Sequence, residues 1–75
     1  MTLVLLGYLS WYTPGQASEV QVEVEPGTTV RAAAVLAGLP PDQVAMGILD
    51  NHKVDLEAEV SDGQQIALLP PIGGG

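Results

Sequence analysis

The sequence predicts a small α+β domain in two layers, one short helix lying over a mixed sheet of four to five strands. Three stretches carry that reading. Thr2 to Ser10 is a near-continuous apolar run, suited to a strand covered on both faces or set in the middle of a sheet. Glu19 to Glu25 alternates strictly, with Val20, Val22 and Val24 on one face and polar residues on the other. Between the Thr28-Thr29 pair and Gly38 lie Ala32, Ala33, Ala34 and Leu36, a run of helix formers bounded by end signals.

In chain order, the first run reads as a central strand, and Thr13-Pro14-Gly15-Gln16 is a turn that hairpins it to the half-exposed strand 19–25. Pro26-Gly27 closes that strand, and either Thr28 or Thr29 caps a helix over Val30 to Leu39. Gly38 sits where a C′ residue belongs, with Pro40-Pro41 beyond it to prevent continuation. Val44 to Leu49 reads as the next strand and Asp50 to Lys53 as a polar turn before Val54, and two short strands with a tight reversal are the simplest reading. Leu56 and Val60 suit a loop or a single helical turn. Ser61-Asp62-Gly63 is a turn, and Gln65 to Leu69 a last strand running straight into two prolines. The expected order is β-β-α-β-β, with the last strand delivering the tail.

The chain has 75 residues, enough for one domain but not for a deep cleft. With 47% hydrophobic residues and no Phe, the core must be built from Val, Leu, Ile and Ala, and Tyr8, Trp11 and Tyr12 are the only aromatics. No cysteine is present, which excludes disulfides, Cys-ligated zinc and a thiol nucleophile. Nine acidic residues against Arg31 and Lys53 give a formal charge of −7, the wrong sign for a phosphate backbone, so nucleic acid is not an expected partner. That charge suits either a basic protein surface or plain solubility. The apolar opening lacks a basic n-region and a cleavage site and is shorter than the ~20 residues of a spanning helix, so the expectation is a cytoplasmic protein with no membrane association.

Side-chain chemistry is sparse. His52 stands in the expected turn with Asp50 and Asp55 near in sequence, too few ligands for a metal site. Glu19, Glu23 and Glu25 share one strand face, a solvated surface or a docking stripe for a basic partner. No Ser/His/Asp set and no P-loop or G-x-G-x-x-G fingerprint is present, so the chain is not expected to be an enzyme or to bind a cofactor. Trp11 and Tyr12, beside a Pro-Gly turn, read either as an exposed anchor or as loop aromatics folded back on the sheet.

The ending, Pro70-Pro71-Ile72-Gly73-Gly74-Gly75, is the most informative stretch. Three glycines carry no Cβ and let the backbone enter a narrow slot, while the two prolines keep the exit extended and stop any ladder from running on. A carboxylate there would be open to attack from a partner's active site. Leu69, Pro70, Pro71 and Ile72 are the expected partner contacts beside it, with Ile66 and Leu68 packed inward and either Ala67 or Leu68 facing out.

The apolar first strand, Thr28-Thr29-Val30-Arg31, Leu39-Pro40, and the stretch Asp62-Gly63 through Leu69-Pro70-Pro71 before terminal glycines together resemble the ThiS/MoaD sulfur-carrier family over essentially the whole chain. The diproline looks more like the MoaD-like branch, the small subunit of molybdopterin synthase. Gly74-Gly75 match the family's terminal pair and Gly73 takes its variable position. The aromatic stretch Tyr8 to Thr13 differs from the polar first turn of a typical member.

The resemblance implies a β-grasp, ubiquitin-like domain over residues 1–71 and a flexible glycine tail over 72–75. It implies that an E1-like adenylating enzyme (MoeB/ThiF-like) uses ATP to activate the carboxylate of Gly75, with Gly74 beside it, and that a sulfur donor converts it to a thiocarboxylate. A sulfur-accepting enzyme such as a MoaE-like large subunit would then draw the sulfur into molybdopterin or a related cofactor. Leu69, Pro70, Pro71, Ile72 and Gly73 would contact these partners. Thiamin-thiazole formation, tRNA thiolation, and conjugation through Gly75 to lysines of other proteins stay open as alternatives, as does an interaction module with an incidental tail.

Overall fold

The computed structural model describes residues 1–71. Its elements are β1 (Thr2–Leu5), β2 (Glu19–Gln21), α1 (Val30–Leu36), β3 (Met46–Leu49), β4 (His52–Val54) and β5 (Gln65–Leu69), with 3-10 turns over Gly7–Tyr12, Pro14–Gln16 and Pro41–Gln43. The five strands form one sheet in the order β2-β1-β5-β3-β4. β1 and β5 run parallel at its centre, and the β1–β2, β3–β4 and β3–β5 pairs are antiparallel. With α1 against one face, this is the expected β-grasp arrangement in its five-stranded form. Three strands follow the helix, one more than the β-β-α-β-β order counts but as two short strands about a tight reversal and a last strand require, and β4 begins at His52 because His52 and Lys53 pair with Leu49 and Ile48 instead of lying in the turn.

The helix starts where its cap can form. Thr29 has extended backbone and its side chain accepts from the Ala32 N–H, satisfying one of the first-turn donors, so Thr29 rather than Thr28 is the cap. Val30, Ala33 and Ala34 face the sheet, and α1 ends at Leu36, three residues before the expected end, with Gly38 in the C′ position at a φ of 89°. Leu3, Leu5, Ile66 and Leu68, alternate residues of the two central strands, form the floor beneath it and are all buried. The helix can lie close because β3 presents Gly47 there: a Cβ would come within 3.1 Å of Ile66 and Val54 and 3.5 Å of Val30.

The first apolar run divides. Thr2–Leu5 is strand, and after Leu6 the chain turns at Gly7, which has a φ of 59°, into a 3-10 turn that places Leu9 in the core. An all-apolar run carries no period that separates strand from turn, and Gly7 is the interruption. The alternating segment likewise pairs over only Glu19–Gln21, although Val22 and Val24 still pack against the core. Among the described residues no helix is long and apolar enough to cross a membrane.

Candidate functional site

The candidate site is the exit of β5. Because β5 is central, its end is held from both sides: the Leu6 N–H donates to Leu68 O at 3.0 Å and the Ala45 N–H donates to Leu69 O at 2.8 Å. Pro70 has no N–H to extend the ladder, so pairing stops at Leu69. Its ring lies against Gly7, where an added Cβ would stand 2.9 Å from Cγ and 3.3 Å from Cδ. Pro70 is half-buried in this seat, and Pro71 is exposed. The sheet therefore fixes the direction in which the chain leaves it up to the second proline.

Of the residues singled out in the sequence, Ile66 and Leu68 pack inward, while Ala67 and Leu69 lie half-buried on the sheet face away from the helix. Ala67 pairs with Val4 on one side and Ile48 on the other, so the centre of that face is an apolar row running from Val4 through Ala67 to Ile48. Glu19, opposite Val4, and Lys53, opposite Ile48, flank the row at the two edges. Leu69 pairs with Met46 nearer the exit. Ile72, Gly73, Gly74 and Gly75, the remainder of the expected site, lie outside the described residues.

Strand direction decides what stands beside the exit. β1 is parallel to β5, so the 3-10 turn that follows β1 begins at the same end of the sheet as Pro70. β3 is antiparallel to β5, so Pro41–Gln43, which precedes it, begins there too. The two turns are tied by a hydrogen bond from the Tyr8 hydroxyl to Oε1 of Gln43 at 2.8 Å. Trp11 is 72% and Tyr12 42% exposed, and both rings pack on Tyr8 at centroid distances of 6.4 Å. Of the two sequence readings of these aromatics, exposure is the one the structure displays. Sequence reasoning did not mark Gly7 as the seat of Pro70. Its position inside an apolar run was the available signal.

Elsewhere among the described residues the exposed large hydrophobics are Val35 and Leu36 on the helix, and the charged groups are scattered. Arg31 is paired with Glu57, Nε to Oε1 at 2.7 Å, and His52 and Lys53 are exposed on β4. A shallow depression at the other end of the strands is lined by Met1, Gln21, Glu23, Glu25 and Asp62 among others, with the Met1 amino group 3.3 Å from Asp62. Among the described residues no group of three or more His, Cys, Asp or Glu is placed to hold a metal ion.

A family model described as the ThiS family matches residues 8–75 of the chain. Among solved structures, the crystal structure of SAMP1 from Haloferax volcanii superposes with a TM-score of 0.68 at 20% sequence identity, covering 99% of this chain and 97% of that one. That likeness is one of fold. No curated protein matches the chain.

Proposed function

The chain belongs to the ThiS family, and from that premise we propose that it is a sulfur carrier whose reactive group is the carboxylate of Gly75. The observation that supports this reading most is the delivery of the chain end. β5 is held between two strands up to Leu69, and Pro70 is seated against Gly7, so the sheet sets the point and direction at which the chain leaves it. A partner can then bind the folded body and receive the end in a defined direction. A carrier whose body is already ordered spends little binding energy on positioning its reactive end.

The chemistry is supplied by partners. An activating enzyme brings ATP, and the Gly75 carboxylate attacks the α-phosphorus, forming an acyl-adenylate and releasing pyrophosphate. Sulfur at the oxidation level of hydrosulfide then attacks the acyl carbon, AMP leaves, and the thiocarboxylate remains. Glycine at positions 74 and 75 leaves that carbon free of side-chain obstruction for both attacks. Leu69, Pro70, Pro71, Ile72 and Gly73 make the partner contacts next to it. The diproline supports a molybdopterin-type acceptor, with a MoaE-like large subunit taking the sulfur.

One added residue after Gly75 tests the mechanism. Adding it is expected to abolish ATP–pyrophosphate exchange by the activating enzyme, and an extended protein that is thiolated without trimming would overturn it. Recovery of Gly75 in isopeptide linkage to lysines of other proteins would instead assign the chain to conjugation.

A further inference from the structure

We propose that Trp11 and Tyr12 form the docking anchor by which the activating enzyme recognises this chain, an inference that rests on the carrier reading above. The first argument is one of reach. The four residues 72–75, which carry the reactive carboxylate beyond Pro71 in the carrier reading, span about 14 Å when fully extended. An enzyme that places the carboxylate of Gly75 at the α-phosphate of ATP must therefore approach to within that distance of Pro71. It covers the surface around the exit, and the 3-10 turn Gly7–Tyr12 is part of that surface because its first residue is the seat of Pro70.

The second argument is chemical. No charged side chain occurs between Met1 and Ser18 in a chain of net charge −7, so the Gly7–Tyr12 side of the exit is an uncharged aromatic surface, while Asp42 stands on the neighbouring turn Pro41–Gln43. Among the described residues Trp11, at 72% exposure, is the most exposed of the large hydrophobic residues. Tryptophan and tyrosine contribute most to binding when they enter an apolar pocket already held in position. These two are held: both rings rest on Tyr8, whose hydroxyl is bonded to Gln43. The buried Thr13 ties the two turns together, its hydroxyl lying 2.8 Å from Ser10 O and 3.0 Å from Ala17 O and sharing its one proton between them. The occupant is thus an apolar pocket beside the tail channel of the adenylating enzyme. Activation is the step shared by sulfur transfer and conjugation, so this anchor serves whichever acceptor lies downstream.

The test is ATP–pyrophosphate exchange by the adenylating enzyme encoded in the same genome, at varied concentrations of the full chain. Trp11→Ala is expected to raise KM for the carrier about 30-fold with kcat little changed. Trp11→Phe should recover part of the loss, and Glu59→Gln, exposed beside Thr29 at the start of the helix, should stay within twofold of the parent. Thermal unfolding of Trp11→Ala close to that of the parent, as expected for an exposed ring, assigns the effect to binding. A Trp11→Ala protein that is activated with the parent's KM overturns the anchor and leaves the carrier reading standing. An unchanged activation with a defect confined to later sulfur transfer also overturns it. No exchange with the parent protein overturns both.

Discussion

A Cβ built on Gly7 would stand 2.9 Å from Cγ of Pro70, so the turn that ends the first strand and the proline that ends the last one interlock. Gly7→Ala must both hold a left-handed backbone at a φ of 59° and displace that ring. The expected loss is about 2–4 kcal/mol in chemical denaturation. Gly15→Ala has a similar φ of 68° but meets nothing within 4 Å, and should lose only about 1 kcal/mol. Equal losses would mean that the seat of Pro70 is slack.

Thr29→Ala removes the side-chain acceptor that the Ala32 N–H uses and is expected to cost about 1 kcal/mol. Thr29→Ser keeps the oxygen and should recover most of it. Urea titrations of the two variants separate the cap from the methyl group. A loss as large in the serine variant would assign the effect to packing.

Leu68 and Leu69 are neighbours with opposite duties. Leu68 is fully buried under the helix, and Leu68→Ala is expected to lose about 2–5 kcal/mol. Leu69 is half-buried on the other face beside Met46, so Leu69→Ala should lose less than half as much stability while weakening activation by the partner enzyme. A Leu69→Ala protein with unchanged KM in pyrophosphate exchange would remove this residue from the partner surface.

Within the tail, Gly75→Ala is expected to abolish activation and Gly73→Ala to reduce it by roughly tenfold or less, since a Cβ on residue 75 is attached next to the reacting carbon and one on residue 73 is two residues removed from it. Adenylate formation measured by quenched radiolabelled ATP distinguishes the two. Equal activity of both variants would mean that the slot tolerates a side chain.

Much of the fold was legible in local signals. Gln65–Leu69 was read at its observed bounds because a turn with Gly63 precedes it and two prolines follow. The helix was placed by its Thr and Gly boundaries, and the β2 hairpin by alternation. The polar composition of Asp50 to Lys53 makes the reversal between β3 and β4 look two residues wider than it is: Asp50 and Asn51 alone make it, with φ values of 52° and 66°, and His52 already pairs with Leu49. The division of Thr2 to Ser10 was not read, because apolar residues in strand and in a buried 3-10 turn have the same composition. The pairing of β1 with β5, which brings Gly7 to Pro70, joins residues more than sixty positions apart and leaves no local trace. At the candidate site, the composition of the exit is legible and so is an exposed reading of Trp11 and Tyr12, but their place beside the exit follows only from strand direction.

The measurement that bears most directly on the carrier function is the intact mass of the protein after incubation with its adenylating enzyme, ATP and a sulfur donor. A form lacking Gly74 and Gly75 runs beside it. The expected result is a gain equal to the exchange of one oxygen for sulfur, present in the full chain and absent from the shortened one. An unchanged mass for the full chain, with an enzyme shown to thiolate its own known carrier, would contradict the account.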